Sequence, residues 1–346
     1  MANYFDVSEW NQQLQFQTGG TRNKIVVSHP ETGERYFFKT SLKKEKLDYK
    51  FEFWSEIIAS EVGQYLGFNM LKYDIAYNSG EIGCISKSMV TEGKNNLTEG
   101  IRYLSGYDNT YNPQDKQSYS AYTFQFIREA LKLFGFEDSI REIIRVIILD
   151  SIIGNSDRHQ ENWGFITEYN DIIAEIRKTG VDIGKTIVGK LGILLVSVIN
   201  KTKKEDLHKV FKNVDLIMPS TFSPIYDSGS CLGREIEDDR VSKMLSDRNM
   251  LDAYINRGKA EIRWENEHLS HFGLIEKVKD EYPSEVNAII DVVSNRFNEQ
   301  RLREIVSNID RNLPENLNIH KLPVERKELI SKMITLRFNK LKGLRQ

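Results

Sequence analysis

The stretch GNSDRHQENWG (residues 154–164) interrupts a helical pattern with a dense cluster of polar side chains. Within it, Asp157 and Asn162 lie five positions apart. At this spacing, one rigid loop can hold a carboxylate as a general base and an amide oxygen as a ligand for a hard cation such as Mg²⁺. A helix-capping loop is the more common explanation for such a pair taken alone. The stretch therefore needs support from the rest of the chain.

A second polar segment, PIYDSGS (residues 224–230), places Asp227 after two β-forming residues and shortly before Gly229. Protein kinases carry an Asp-to-Asn interval like the first stretch in their catalytic loop, and an Asp followed by Phe and Gly that holds magnesium. On its own, an Asp so close to a Gly most often marks a turn. Together, the two segments suggest a site for phosphoryl transfer.

Lys39 lies near the end of the β-type run RYFFKT (residues 35–40). A Lys on an early strand can contact nucleotide phosphates and pair with a helix Glu, although a solvent-facing Lys is the more common alternative. The helical pattern that follows, ended by a glycine, contains Glu52, Glu56 and Glu61. Its periodicity does not choose among the three.

A glycine-containing turn, TGGTRNK (residues 18–24), precedes the first β-type run, KIVVS. Gly19 and Gly20 would let backbone N–H groups approach phosphate oxygens, and Lys24 ends the turn. A turn with two glycines is otherwise unremarkable. The order of the features carries more weight than any one of them: glycine turn, strand Lys, helix Glu, polar segment, Asp–Asn loop and second Asp follow one another as in a two-lobed kinase.

The chain divides into two predicted lobes. Residues 1–92 predict a small N-lobe in the order strand, strand, helix, strand, strand, and residues 93–346 predict a mostly helical C-lobe. Residues 91–117 are polar and rich in Gly and Asn, which predicts a linker or hinge. Residues 168–212 predict an insertion, for which a peripheral helical pair is favoured over a docking element or a mobile appendage.

The composition narrows the class of protein. The 346 residues carry 48 Lys and Arg against 50 Asp and Glu, a net charge of −2, which disfavours direct nucleic-acid binding. Two cysteines, Cys84 and Cys231, fit a reducing compartment. The apolar run LGILLVSVI (residues 191–199) is too short to span a membrane, and the N-terminus lacks the pattern of a signal peptide. We therefore expect a cytoplasmic protein, with delivery to a host cell as an alternative.

The mixed stretch RGKAEIRWENEHLSHFG (residues 257–273) combines charges, a Trp and two His. A helical surface is the favoured interpretation, and a substrate-facing patch is the alternative. His268 and His271 lie three apart without an evident third ligand, which argues against zinc.

The strings GNSDRHQENWGF and SPIYDSGSCL closely resemble the HipA-like serine/threonine kinases, and in particular the short CtkA-type kinases. FWSEIIASEVGQYLGF resembles the family's helix with its Ser-Glu pair, and GGTRNKIVV resembles its phosphate-binding turn and first strand. The resemblance covers most of residues 15–235 apart from the insertion. It implies an α+β, bilobal protein-kinase-like fold, related to HipA and the phosphoinositide kinases, with a small β-rich N-lobe and a mostly helical C-lobe.

The resemblance also implies ATP and Mg²⁺ as cofactors. Motif by motif, it makes Asp157 the catalytic base and Asn162 and Asp227 the magnesium ligands. Lys39 would contact the ATP phosphates, with Glu56 of the Ser-Glu pair as its partner.

Other residues have less direct support for a role in the site. His159 would order the loop or face the phosphates, and Gly19, Gly20 and Lys24 would form the phosphate turn. Met89 and Val90, at the end of the predicted strand 82–90, are expected near adenine, with core packing as the alternative.

The expected partners are a protein substrate with a Ser or Thr acceptor and either an antitoxin or a host protein. Autophosphorylation is expected on Thr18, Thr21 or Ser28, with plain turn or strand residues as the alternative. A lipid or small-molecule phosphotransferase on the same fold is the main alternative, followed by a nucleotide-binding pseudokinase and then by a DNA-binding regulator.

The chain departs from the family pattern in the length of one interval, and this departure tests the assignment of Asp227. Asn162 and Asp227 are 65 positions apart, several times the interval expected for the family. If the extra segment splits a hairpin formed by WGFIT and the strand before Asp227, the site is intact. If it does not, the assignment of Asp227 fails.

Overall fold

The computed structural model describes residues 1–13, 24–44, 47–168 and 219–345. The glycine turn with Gly19 and Gly20, the acceptor candidates Thr18 and Thr21, and the predicted insertion after Glu168 lie outside these ranges.

The N-lobe is built on a six-stranded sheet with the spatial order β1-β7-β8-β4-β3-β2. β1 runs parallel to β7, and the other neighbouring strands are antiparallel. Two further short strands, β5 and β6, form a separate ribbon. The strands are β1 (Tyr4–Asp6), β2 (Asn11–Gln13), β3 (Lys24–Ser28), β4 (Arg35–Thr40), β5 (Lys43–Lys44), β6 (Leu47–Asp48), β7 (Asp74–Asn78) and β8 (Glu81–Lys87).

The predicted hairpin is present as β3 and β4, with Gly33 supplying the left-handed backbone (φ 68°) that its turn requires. The helix α1 (Glu52–Leu66) follows the predicted pattern and ends at Gly67, which adopts φ 94°. Most of α1 is buried, because one face packs against the sheet and another contacts helices of the second lobe. This central position lets α1 carry a side chain into the space between the lobes.

The linker interpretation of residues 91–117 is wrong, while the hinge alternative stays a prediction. This segment forms strand β9 (Asn95–Glu99) and helix α2 (Gly100–Tyr107). The polar sequence suits β9 because it is a half-exposed edge strand, paired on one side with β10 (Gly164–Glu168). Gly100 is required at the start of α2, since a Cβ there would lie 2.3 Å from the ring of Trp163.

β10 also pairs with β11 (Ser220–Phe222), with Phe165 opposite Phe222, so that β9, β10 and β11 form a three-stranded antiparallel sheet. The long segment between Asn162 and Asp227 therefore leaves and returns on two paired strands. This is the split hairpin on which the assignment of Asp227 depends.

The C-lobe is helical, as expected. Its central helix, α4 (Ile140–Ile153), is buried along almost its whole length and packs against other helices of the lobe. It ends at Gly154 in the left-handed conformation (φ 70°), where the polar loop begins. The other described helices are α3 (Phe124–Leu133), α5 (Asp238–Ser246), α6 (Arg248–Arg257), α7 (His271–Glu281), α8 (Pro283–Arg296), α9 (Glu299–Ser307) and α10 (Val324–Gly343), with 3₁₀ turns at Lys116–Ala121, Glu137–Ser139 and Glu315–His320.

Cys84 and Cys231 are both buried free thiols. Within the four described ranges, no helix combines the length and the hydropathy that a membrane crossing demands.

Candidate active site

The loop after α4 is organised by a buried arginine that the sequence did not single out. Arg158 is 1% exposed, and its guanidinium makes two hydrogen bonds, of 3.0 and 2.9 Å, to the carboxylate of Asp150 on α4. It also donates to the backbone oxygens of Asn162 (3.1 Å) and Tyr226 (2.5 Å) and to the hydroxyl of Ser228 (2.9 Å). Arg158 therefore joins the polar loop to the segment that contains Asp227.

Asp157 is held at three points. Its backbone N–H donates to Asn155 Oδ1 (3.3 Å), and its backbone oxygen accepts from Asn162 Nδ2 (2.8 Å). Its side-chain Oδ2 accepts a hydrogen bond from Ser230 Oγ at 2.9 Å. Since the amide nitrogen of Asn162 is used within the loop, its amide oxygen is the atom that remains to bind a cation.

Lys39, on β4, extends between two carboxylates. Its Nζ lies 3.6 Å from Glu56 Oε1 and 3.1 Å from Asp227 Oδ1. The backbone N–H of Ser228 donates to the same Glu56 oxygen at 3.3 Å. Lys39 and Glu56 are buried, whereas the side chain of Asp227 is 31% exposed. The strand Lys, the helix Glu and the second Asp therefore meet in space.

The structure also separates Glu56 from the other two candidates on α1. Glu52 forms an ion pair with Arg234, and Glu61 pairs with the N-terminal amine of Met1 at 2.9 Å. Only Glu56 of the three points to Lys39.

Asp227 has an uncommon backbone conformation, with φ 54° in the left-handed region that non-glycine residues rarely adopt. Its N–H donates to the hydroxyl of Tyr73 at 3.3 Å. Burial, together with the charge of Glu56, raises the pKa of Tyr73 well above its usual range, so this phenol stays neutral. Backbone strain of this kind is concentrated at functional sites.

Lys24 places a second cation next to Lys39. It pairs with Lys39 in the register of β3 and β4, and its amine lies 4.6 Å from the ring centroid of Phe37. Burial and the neighbouring charge of Lys39 lower the pKa of Lys24. Two cations brought together in this way suit a group with several negative charges.

A cavity of about 210 Å³ opens beside Asp157. His159 lines it, with its imidazole Nδ1 3.8 Å from Glu161 Oε2. Glu261, from the mixed stretch 257–273, also lines it. Burial and the charge of Asp157 raise the pKa of Glu261. Glu261 lies between α6 and α7 in a segment without helix, so the prediction of a helical surface over residues 257–273 is wrong at this position.

The predicted adenine contacts lie at the edge of the sheet. The strand predicted to reach residue 90 ends as β8 at Lys87, so Met89 and Val90 follow it and are half-buried. The N–H of Val90 donates to Ser88 Oγ (3.3 Å), and that hydroxyl donates to the oxygen of Val90 (2.8 Å). Contact of these residues with adenine stays a prediction.

The donor set fits magnesium in chemical type. Asp227 and Asn162 offer a carboxylate and an amide oxygen on two segments joined by Arg158, and Mg²⁺ commonly takes few protein ligands and completes its shell with water and phosphate oxygens. In the described parts of the chain, no group of three or more His, Cys, Asp and Glu side chains is arranged to hold a metal. A closed site of structural-zinc type is therefore absent from those parts.

Solved structures with the same architecture exist. The proinflammatory kinase CtkA of Helicobacter pylori matches with a TM-score of 0.68 and 17% sequence identity, over 99% of this chain and 96% of CtkA. The chain has the fold of the HipA-like kinases. A structure of the HipA–HipB toxin–antitoxin system of Shewanella oneidensis MR-1 with its operator DNA matches with a TM-score of 0.50 and 10% identity, over 96% of this chain and 66% of that one.

No protein-family model matches the sequence, and no curated protein matches it. The predicted HipA-like, bilobal fold is confirmed by the structures of CtkA and HipA. At these identities the likeness concerns the fold, so the chemistry rests on the residues of the site.

Proposed function

We propose that this chain is an ATP- and Mg²⁺-dependent serine/threonine protein kinase of the HipA-like type. One observation carries the proposal. Lys39 lies within 4 Å of both Glu56 and Asp227, while Arg158 ties the Asp227 segment to the loop that holds Asp157. Four distant stretches of sequence thus bring the Lys39–Glu56 ion pair, the proposed base and the proposed oxygen ligands together at one site.

In the proposed reaction, Asp157 accepts the proton of the acceptor hydroxyl as that oxygen attacks the terminal phosphorus of ATP, and the bond from that phosphorus to the bridging oxygen breaks to release ADP. Lys39 and Lys24 offset the negative charge of the phosphates. Bound Mg²⁺ would neutralise phosphate charge, and Asn162 and Asp227 carry the oxygen donors for it. His159 is proposed to line the acceptor side, since it shares the cavity with Asp157.

The cavity beside Asp157 bears on the acceptor. Besides Asp157 itself, Glu161 and Glu261 line it, together with Tyr111 and Tyr119. Carboxylates repel an anionic headgroup such as that of a phosphorylated lipid, and they tolerate a neutral or cationic peptide. This charge favours a protein acceptor over the lipid alternative. The joint presence of Lys39, Asp157, Asn162 and Asp227 argues against a pseudokinase, which usually lacks one of them.

We further propose that the chain phosphorylates itself, with Ser28 on β3 as the candidate within the described residues, and that it binds a partner protein. The Shewanella HipA was solved with HipB, which makes an antitoxin a reasonable partner for this chain. A host protein is the alternative. We also propose that the lobes meet near residue 92, because β8 ends at Lys87 and the next strand pairs with β10.

The test is transfer of label from radioactive ATP with Mg²⁺ to panels of peptides, phosphoinositide vesicles and aminoglycosides, with mass spectrometry of the chain itself. We expect label on Ser or Thr of peptides. Asp157→Ala should lower turnover by roughly 10²–10⁴-fold, the usual effect of losing a general base. Asp138→Ala, at an exposed position, is the matched control.

Two results would contradict the proposal. Label on lipid or aminoglycoside without label on peptide would replace the protein acceptor. Normal transfer by Asp157→Ala would remove Asp157 from the role of base.

A further inference from the structure

Ser230 has a buried hydroxyl, and none of the roles proposed for the site involves it. It is 7% exposed, and its Oγ donates a hydrogen bond of 2.9 Å to Asp157 Oδ2. A hydrogen bond to a carboxylate is among the stronger ones in proteins, and it favours one side-chain orientation over others. The hydroxyl therefore acts on the orientation of the proposed base.

The chain segment around Ser230 is itself held in place. Arg158 donates to the backbone oxygen of Tyr226 and to the hydroxyl of Ser228, and the N–H of Ser228 donates to Glu56. Ser230 follows two residues later, so its hydroxyl belongs to a segment anchored in both lobes. A side chain on such a segment can position another group, because its own place is fixed.

The two oxygens of the Asp157 carboxylate differ. Oδ2 receives the Ser230 hydroxyl, whereas no hydrogen bond reaches Oδ1 from the described residues. We propose that Ser230 is a positioning residue for Asp157: it anchors Oδ2 and leaves Oδ1 to accept the proton of the acceptor hydroxyl. This inference rests on the proposed kinase function and assigns a residue that the motif comparison did not include.

Ser230 also lies three positions after Asp227, the proposed metal ligand. A single anchored segment therefore sets both the metal-ligand candidate and the orientation of the base. A hydroxyl that instead occupied the place of the acceptor would inhibit the enzyme, and its removal would raise activity. The two interpretations predict opposite effects of the same substitution.

The experiment compares kcat and KM for ATP in the full-length wild type, Ser230→Ala, Ser230→Thr and the exposed control Ser246→Ala. Ser230→Ala should lower kcat roughly 10- to 100-fold, as expected for losing a hydrogen bond to a charged group, with KM for ATP within about twofold of the wild type. Ser230→Thr, which keeps the hydroxyl, should recover most of kcat. Ser246→Ala should match the wild type.

A double substitution keeps the test independent of how well Thr fits. If Ser230 acts through Asp157, then Ser230→Ala in the Asp157→Ala background should cause no further loss in single-turnover rate. A merely structural serine would cause the same fold-loss in both backgrounds, and that result would overturn the inference. So would an unchanged or raised kcat in Ser230→Ala. Failure of the wild type to transfer phosphate would instead remove the proposed function, and this inference with it.

Discussion

Two buried cations contact the segment around Asp227, and their surroundings differ. Arg158 makes two hydrogen bonds to Asp150 and three more to groups of the chain, so its donors are used inside the protein. Lys39 is shared between buried Glu56 and Asp227, whose side chain is 31% exposed. The comparison separates a charge bonded wholly within the protein from a charge that is paired with a partly exposed carboxylate.

The difference follows from the geometry of the two side chains. A guanidinium presents five N–H donors in a rigid plane and can join a helix, a loop and a second segment at once. An ammonium is a compact charge on a flexible stem, which suits contact with phosphate oxygens. Substitution of Arg158 should therefore act on folding, and substitution of Lys39 should act on nucleotide binding.

The largest effect is expected at Arg158. Arg158→Ala leaves the buried carboxylate of Asp150 without its partner, and breaking a buried pair in this way costs about 3–5 kcal/mol of unfolding free energy. Urea unfolding followed by circular dichroism measures it. Arg248→Ala, in an exposed pair with Asp252, should change the unfolding free energy by no more than about 0.5 kcal/mol. Equal losses in the two variants would contradict the structural role of Arg158.

The next effect is expected at Lys39. Since removal of Lys39 alone would leave Glu56 buried and unpaired, the test uses Lys39→Met together with Glu56→Gln. This double variant should bind a nonhydrolysable ATP analogue about 100-fold more weakly, which is about 2.7 kcal/mol. Its loss of unfolding free energy should be smaller than that of Arg158→Ala. Lys132→Met, on the exposed side of α3, controls for loss of positive charge, and unaltered nucleotide affinity in the double variant would refute this role of Lys39.

The smallest effect is expected at His271, a buried imidazole near Arg158. His271 is 2% exposed and lines a small cavity with Asp150, Arg158 and Glu261. Burial and the nearby charge of Arg337 lower the pKa of His271 to about 3. An unfolded His titrates near pH 6.5, so between about pH 6.5 and 3 the unfolded chain binds a proton that the folded chain does not.

Stability should therefore fall as pH decreases through that window. The His271 contribution to the difference in unfolding free energy between pH 7 and pH 5 is about 2 kcal/mol. His271→Gln should reduce the measured difference by this amount, whereas His320→Gln, at the end of the 3₁₀ turn before α10, serves as the control. An unchanged pH dependence in His271→Gln would show that this imidazole titrates alike in the folded and the unfolded chain, which would contradict the prediction.

Much of the architecture could be predicted from local patterns. The β3–β4 hairpin, α1 with its terminal glycine, and the helices of the C-lobe follow from periodicity and turn residues. The linker prediction failed because β9 is a half-exposed edge strand, and a polar edge strand has the composition of a loop. Its partner β10 lies more than sixty residues away, and that pairing leaves no local signal.

The residues of the site could be predicted from sequence where the order of the motifs identified them. They could not be predicted where their role depends on burial in the folded chain. Helix periodicity left Glu52, Glu56 and Glu61 open, and the motif comparison chose Glu56, which the structure places beside Lys39. Arg158 and Ser230 stand inside the quoted motifs, but their roles depend on which atoms they meet across 70 or more positions of the chain. The sequence of a polar loop does not reveal which of its charges is buried.

The central claim is that Asp227 serves the metal-bound nucleotide while Asp157 serves the acceptor. Calorimetric titration of a nonhydrolysable ATP analogue, with and without Mg²⁺, tests it directly in the wild type, Asp157→Ala and Asp227→Asn. We expect wild-type affinity in Asp157→Ala and loss of the magnesium-dependent part of the affinity in Asp227→Asn. Nucleotide binding in Asp227→Asn that depends on magnesium as strongly as in the wild type would contradict the account.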